Sequence, residues 1–462
     1  MRVQVLTLIA LSVVGCGGHS EDDLPPNLAL ITLDTVRRDH VGAYGYFRDT
    51  TPKLDALAAE SIVFDSCFAP IAHTTPSHIT ILTGTYPHEH GVLSNSNLKP
   101  VEKQEANAFI STPGLVSFAE HAGNRGYATA GFVSAAPLKK ITGLATGFQA
   151  WGEPEGARRT ATETLSEALP WLDSRSSEEP WFIWLHFFDA HGPYIPGEQP
   201  PAPYDERYSP EPELTRRLEM MGFPEEVRGR QVGKTTPERA VNLYDGSVRW
   251  LDDQLGSLFD SLRSREDWSR TAVVVVGDHG QGLGQHDYLA HGVVWEEQLA
   301  VPLFMRIPGI QAESKQDALM STVDVLPTAI ALLPDLATEE FTRQFRGTNA
   351  LADQPRPPVF GMSPPKRGLT MIREDRWKYV RSEDGEELYD LASDPHELEN
   401  VAASEPEVLA RLRTAHEELL ESLRGRGGLH ARMRDESGVS GEVDPRLLEE
   451  LGELGYGGEE DE

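Results

Sequence analysis

The sequence predicts an α/β fold: a mainly parallel sheet with helices on both faces, then a small antiparallel sheet with one helix. Three observations lead there. The apolar runs at 28–33, 181–187 and 271–276 are nearly unbroken, the pattern of strands buried on both faces. Between them lie segments of helical period, of which 236–262 is the longest. After about residue 355 the runs shorten and turns crowd between them, which reads as hairpin-connected strands.

In chain order, residues 1–15 hold one arginine and then an apolar run, MRVQVLTLIALSVVG. The run is too short to cross a bilayer but suits a cleavable signal peptide. Val13-Val14-Gly15-Cys16 resembles a bacterial lipobox. Cys16 is therefore expected to be the lipidated first residue of an exported lipoprotein, held to a membrane on its periplasmic or cell-surface side. An ordinary signal peptide with an incidental cysteine would read the same way. Residues 16–26 form a polar tether. The large domain, 27–354, opens with strand 28–33, which ends at Asp34. A helix at 51–59 and a short strand at 62–64 follow. The helix at 74–82 carries Pro76 in its first turn, where a missing N–H costs nothing. A helix at 114–126 leads to a strand at 128–133, and 181–187 is another strand. Residues 196–237, rich in Pro, Glu and Arg, read as an inserted surface segment. The amphipathic helix 236–262 precedes the clearest strand, 271–276, which runs into Asp278-His279-Gly280. A further strand covers 301–307. The C-terminal subdomain, 355–424, holds strands at 369–372, 377–380 and 387–389 and a helix at 406–423 with Ser404 before it. An acidic tail, 425–462, ends the chain.

Composition narrows the partners. The formal net charge is −31, which repels phosphate backbones and excludes nucleic acid as a partner. An anionic substrate must be drawn in by local positive charge, such as a metal. Two cysteines, Cys16 and Cys67, exclude a disulfide framework and a four-cysteine zinc site.

Asp34, then His186 and Asp189, then Asp278 and His279 sit at or just beyond predicted strand ends. In an open α/β sheet those ends border the ligand crevice. Two carboxylates and an imidazole from Asp34, Asp278 and His279 suit one dication; equally, they could be polar loop residues. The segment His73-Thr-Thr-Pro-Ser-His78 sets hydroxyls at a helix start. Backbone N–H groups and the helix dipole favour anions there. A plain threonine cap with a proline in the first turn accounts for the same residues.

Taken together in order, these pieces resemble the sulfatase family of the alkaline phosphatase superfamily. The resemblance rests on Leu-Ile-Thr-Leu-Asp34-Thr-Val-Arg37, Thr74-Thr-Pro76-Ser77-His78 with Leu82-Thr83-Gly84, and Tyr86-Pro87 with His90-Gly91. It continues through His191-Gly-Pro-Tyr194, Asp278-His279-Gly280, Gly284-Gln-His286, Val301-Pro302-Leu303 and the C-terminal Glu387-Leu-Tyr-Asp390. It spans about 27–405 and implies an alkaline-phosphatase-like fold and a metal-dependent ester hydrolase. It implies Asp34, Asp278 and His279 as metal ligands and Thr74 as a nucleophile that also touches the metal. His191 and His291 match positions that contact the anionic group or the leaving oxygen. His78 stands where the family usually has an arginine that steadies the nucleophile.

Departures from the family pattern change the expected chemistry. The family usually has Cys or Ser at the Thr74 position, oxidised to formylglycine. Threonine is no precursor for that conversion, and Cys67, seven residues upstream, lacks the expected arginine in its context. No formylglycine is expected. A threonine ester must then be cleaved by water at phosphorus or sulfur, so a phosphoester, foremost a diester, is expected. A sulfate ester ranks next, followed by a phosphotransferase and by an inactive protein that binds anionic glycans. The substrate is thus an anionic ester, on a glycan or a lipid. Thr35 replaces the family's second Asp and His279 its Asn, which favours zinc or manganese over calcium. Lysine positions of the family are lost at Val133-Ser134-Ala135-Ala136 and at His291. His186, Asp189 and His286 are expected to bind substrate. His186, Asp189 and His191 are also the residues available for a second metal, although packing or substrate hydrogen bonding is the favoured reading of that trio.

Overall fold

The computed structural model describes residues 24–95, 115–194, 196–208, 214, 217–218, 221–223, 235–310, 312, 315–437 and 445–454. The expected signal peptide, Cys16, most of the expected tether and parts of the expected inserted segment and acidic tail lie outside the described residues.

Seven strands form the central sheet: β1 (Asn27–Leu33), β2 (Ile62–Val63), β4 (Ala128–Phe132), β5 (Ala150–Gly152), β6 (Trp181–Phe187), β7 (Thr271–Gly277) and β9 (Leu303–Arg306). Their order is β2-β9-β7-β1-β6-β4-β5. The five from β7 to β5 run parallel, and β9 is antiparallel to both of its neighbours. Every residue of β1, β6 and β7 is buried. Odd positions Ala29, Ile31, Leu33, Val273 and Val275 face one core, with Leu165 and Leu172 of the Ala161–Asp173 helix and Val248 and Leu255 of the Pro237–Ser264 helix. Even positions Leu28, Leu30, Val274 and Val276 face the other, with Ile79 of the Thr74–Thr83 helix and Val325 of the Val325–Leu332 helix. Two apolar faces require two helical layers, which is why the strand sequences show no alternation.

The expected strand over 301–307 is divided. Ala300–Val301 forms β8, which joins β3 (Cys67–Phe68) and β10 (Met320–Ser321) in a small second sheet. Pro302, with no N–H to offer a ladder, marks the crossing to β9. Two helix caps set other boundaries. Thr236 accepts the Arg239 N–H, so the long helix runs Pro237–Ser264, and Thr160 with Glu163 forms a capping box on a helix not assigned from sequence.

The third sheet is antiparallel: β11 (Val359–Met362), β12 (Thr370–Glu374), β13 (Trp377–Arg381) and β14 (Glu386–Asp390). Leu412, Leu420 and Leu423 pack there against Phe360, Ile372 and Tyr379. Their helix, Pro406–Ser437, runs beyond the expected end at 423. A last helix, Pro445–Glu453, docks Leu451 beside Ala135, Ala136 and Phe188.

Candidate active site

Asp34 follows β1, and Asp278 and His279 follow its neighbour β7, where Leu33 pairs with Gly277. Each side chain is fixed through one atom and presents another. Asp278 Oδ1 accepts the backbone N–H groups of Thr35 (3.1 Å) and His279 (2.7 Å). Asp34 Oδ2 accepts a hydrogen bond from His186 Nε2 (3.2 Å), because His186 Nδ1 is occupied as acceptor for the Ser134 N–H (3.1 Å). His279 Nδ1 donates to the Gly280 carbonyl (3.0 Å). Asp34 Oδ1, Asp278 Oδ2 and His279 Nε2 are left buried with no hydrogen-bond partner. One ligand atom from each of the three residues lies within 4.8 Å of the others.

Such a set is unfavourable without a counter-charge. Burial pushes the Asp34 carboxyl up to about 8, against the lowering influence of Asp278 and Thr74. Burial and the nearby Asp34 hold Asp278 well above the carboxylate range. Burial and the neighbouring His291 keep His279 neutral. Two carboxylates and an imidazole lone pair converging with unmet valence fit one divalent cation. Backbone constraints shape the cradle. Thr35 adopts a positive φ of 56°, and a Cβ on Gly280 would lie 2.1 Å from the Glu297 carbonyl oxygen.

Thr74 opens the Thr74–Thr83 helix, with His73 in extended conformation before it. Its hydroxyl is buried and accepts a hydrogen bond from Asn95 Nδ2 (3.4 Å). Asn95 Oδ1 takes the Thr75 N–H (2.8 Å), so one amide grips both the hydroxyl and the helix start. His78 lies one turn on. Its Nδ1 donates to the Thr74 carbonyl (2.7 Å) and stands 3.7 Å from Asp278 Oδ2. Burial and His186 keep it neutral. It braces the helix turn without supplying a fixed positive charge.

His191 and His291 complete the cluster. His291 Nδ1 donates to the Ala72 carbonyl (2.8 Å), and His191 Nδ1 to the Gly192 carbonyl. Their Nε2 atoms face each other 3.1 Å apart. The His291 ring lies 4.4 Å from that of His279, tilted 37° to it. Burial lowers His291 to about 4 and His191 well below the ordinary range. The His191 ring rests on Phe188 at 4.2 Å.

The structure places the remaining expected residues elsewhere in the network. His186 is fully buried against Asp34. Asp189 Oδ1 accepts the Ala161 N–H (3.0 Å) and Trp250 Nε1 (3.2 Å), tying it to a helix start. His286 pairs with Glu297 (3.1 Å) and stacks on Trp295 in a neighbouring cavity. Asn95 was missed from sequence: it is one of two asparagines in the run Leu93-Ser-Asn-Ser-Asn97, with no periodicity to mark it.

A profile described as Sulfatase matches residues 26–336. The chain belongs to the sulfatase family of ester hydrolases. A delta 4,5-hexuronate-2-O-sulfatase of Bacteroides thetaiotaomicron is 25% identical to this sulfatase-family chain, covering 84% of it and 86% of the relative. A multifunctional alkaline phosphatase superfamily protein of Trinickia caryophylli is 23% identical over 81% of this chain and 91% of its own. Among solved structures, a phosphonate monoester hydrolase of Agrobacterium radiobacter superposes with a TM-score of 0.64 at 23% identity, covering 87% of this chain and 96% of that one. A 2-O glycosaminoglycan sulfatase superposes with a TM-score of 0.66 at 21% identity over 92% and 96%. These likenesses give the sulfatase-family chain its alkaline-phosphatase-like fold.

Proposed function

We propose that this sulfatase-family chain is a metal-dependent hydrolase that uses the Thr74 hydroxyl as its nucleophile, with a phosphate ester, foremost a diester, as substrate. The observation that carries this reading is the placing of Thr74 at a helix start beside the buried, unpartnered atoms of Asp34, Asp278 and His279. A threonine is no source of formylglycine, and the nearby candidates for that residue are committed elsewhere. Ser77 Oγ donates to the Asp278 carbonyl (2.6 Å), and Cys67 is buried in β3.

Asp34, Asp278 and His279 would hold the cation, zinc or manganese on the chemistry of the set; when bound it supplies Lewis-acid charge that lowers the hydroxyl pKa and stabilises anionic oxygens. The residues of the chain do the rest. Asn95 Nδ2 points a proton at Thr74 Oγ1 and stabilises negative charge growing there. Attack forms a bond from Thr74 Oγ1 to phosphorus and breaks the bond to the leaving oxygen, while the hydroxyl proton passes to the Nε2 lone pairs of His191 and His291. His191 and His291, with both Nδ1 protons committed to carbonyls, can hold one further proton between their Nε2 atoms and pass it to that oxygen. Water then cleaves the threonine ester and frees the enzyme. With the histidines of the site held neutral, its fixed positive charge is low, which suits a singly charged group such as a diester.

A sulfate ester is the second reading, favoured by relatives named as sulfatases. Both ester types carry one negative charge. Steady-state assays with nitrophenyl phosphodiester, phosphate and sulfate esters, each with zinc, manganese or calcium, rank the two. A wild-type rate equal to that of Thr74→Ala on every ester, with glycan and lipid esters included, would remove the enzymatic reading in favour of anion binding.

Export and membrane attachment through lipidated Cys16 belong to the same proposal. Among the described residues no helix is long and apolar enough to cross a membrane, and the lipobox is the support for an anchor. Labelled palmitate incorporated by wild type and not by Cys16→Ala is the expected result; equal labelling of both overturns it.

A further inference from the structure

The turn that follows Asp34 is closed by a side chain from the long helix. Tyr244, on the Pro237–Ser264 helix, is fully buried. Its hydroxyl donates to the Thr35 carbonyl (2.8 Å) and accepts the Arg37 N–H (2.8 Å). One oxygen thus pins both ends of the turn.

That turn is strained. Thr35 is branched at Cβ and has a φ of 56°. A β-branched residue keeps such a conformation only where contacts on several sides impose it. Thr35 Oγ1 donates to the Asp34 carbonyl (2.8 Å), its N–H to Asp278 Oδ1 (3.1 Å), and its carbonyl accepts from Tyr244. The Thr35 N–H is one of two donors on Asp278 Oδ1, and Oδ2 is the atom left without a partner. Relaxation of Thr35 to an extended conformation would swing its N–H off that carboxylate.

Tyr244 is itself held. Asp245, the next residue, is fully buried and meets His40 Nδ1 (2.7 Å), the Tyr46 hydroxyl (2.7 Å) and the Arg48 guanidinium (2.6 Å). The His40 ring also meets the Tyr244 ring edge-on at 4.9 Å. These contacts fix one turn of the helix, and with it the hydroxyl. Arg37 extends the restraint to the other ligand-bearing segment. Its guanidinium donates to the Gln281 carbonyl (3.1 Å) and to Gln285 Oε1 (3.3 Å), just beyond His279.

We propose that Tyr244 is a positioning residue for the metal cradle: its hydroxyl holds Thr35 in the left-handed conformation that aims the Thr35 N–H at Asp278 and leaves Asp278 Oδ2 for the cation. This role rests on the metal-dependent reading of Asp34, Asp278 and His279. Tyr244 acts through the backbone of Thr35 and not on the reacting atoms.

The test is calorimetric titration of zinc into chelated full-length protein. Tyr244→Phe keeps the ring and removes the oxygen, and it is expected to bind zinc at least about tenfold more weakly than wild type. Tyr127→Phe is the control. The buried Tyr127 hydroxyl donates to the Pro26 carbonyl (3.0 Å), at the end of β1 opposite Asp34. Its loss removes a bond of the same kind from the same strand, and zinc is expected to bind as in wild type. Glycine takes a positive φ without a steric penalty, so Thr35→Gly removes the need for the hydroxyl. In that background Tyr244→Phe is expected to weaken zinc binding by no more than about threefold. Tyr244→Phe that binds zinc like wild type, Tyr127→Phe that loses as much affinity as Tyr244→Phe, or an undiminished loss in the Thr35→Gly background would each overturn the assignment. Wild type that takes up no zinc would remove the metal-dependent reading itself, and the role of Tyr244 with it.

Discussion

Nε2 of His191 stands 3.1 Å from Nε2 of His291, and each ring donates its one N–H, at Nδ1, to a backbone carbonyl. Two lone pairs that close are placed to take up a proton released during the reaction and deliver it to a leaving group between them. His191→Gln and His291→Gln are therefore expected to act through the leaving oxygen. Turnover of alkyl esters should fall by about 10²–10⁴-fold, and that of nitrophenyl esters, whose leaving group needs no proton, much less. Rates across a series of leaving-group pKa values check this: a steeper dependence in the variants is expected.

Thr74 and Asn95 are predicted to separate chemically. Thr74→Ala should reduce turnover to the buffer rate, while Thr74→Ser should retain part of it. Asn95→Ala should cost about 10²-fold in kcat, with a smaller change in KM, because its amide is placed to meet charge on the hydroxyl oxygen. Mass analysis of acid-quenched wild type should show a transferred group on the Thr74 peptide, absent from Thr74→Ala.

Metal removal should make stability depend on pH in a defined direction. The folded pKa of Asp34 is raised to about 8 by burial, and that of Asp278 is raised by burial and by Asp34. Unfolded carboxyls titrate near about 4. Ionisation therefore opposes folding increasingly as pH climbs from that value through about 8. Chelated protein should melt at falling temperature across this window. Zinc or manganese at about a hundredfold over Kd should restore about 2.7 kcal/mol, with little effect on Asp34→Asn.

His286 gives the opposite sign near neutrality. Burial disfavours its charge, but the hydrogen bond and charge of Glu297 outweigh that and raise its pKa. Its contribution is fully present below the unfolded value of about 6.5 and is lost as pH rises through the folded one. It adopts a positive φ of 50°, and Asp287 one of 58°, so the pair restrains a strained turn. The melting-temperature gap between wild type and His286→Gln should narrow as pH is raised through that range.

The Pro445–Glu453 helix should matter to catalysis as well. Leu451 is buried in the cluster that contains Phe188, the ring beneath His191, and Glu450 pairs with Lys139 at 2.5 Å. A chain ending at residue 444 is expected to lose roughly tenfold in kcat on alkyl esters, with a small change in melting temperature. Equal losses on alkyl and nitrophenyl esters would argue against an effect through His191.

The parts legible in the sequence are those with a one-dimensional signature. Buried parallel strands wrote themselves as apolar runs, so the ends carrying Asp34, Asp278 and His279 could be read directly. The Thr160-x-x-Glu163 cap was equally present but stood before a weak helix pattern interrupted by Pro170. The break at Pro302 was hidden because both flanks are apolar and β-forming. Asn95, the Glu297 partner of His286 and the facing Nε2 atoms of His191 and His291 arise from tertiary contact alone. No spacing rule links residues separated by 100 positions, as that histidine pair is.

Adjacency of β1 and β7 has a consequence for biosynthesis. Asp34 leaves the ribosome long before Asp278, which lies 244 positions later, and the carboxylates meet only when the second strand joins the first. No nascent fragment that stops short of β7 can assemble the cradle. Capture of the ion is therefore a closing event of maturation, and any premature stop codon upstream of residue 278 yields a product unable to load it, whatever fraction of the remaining domain folds.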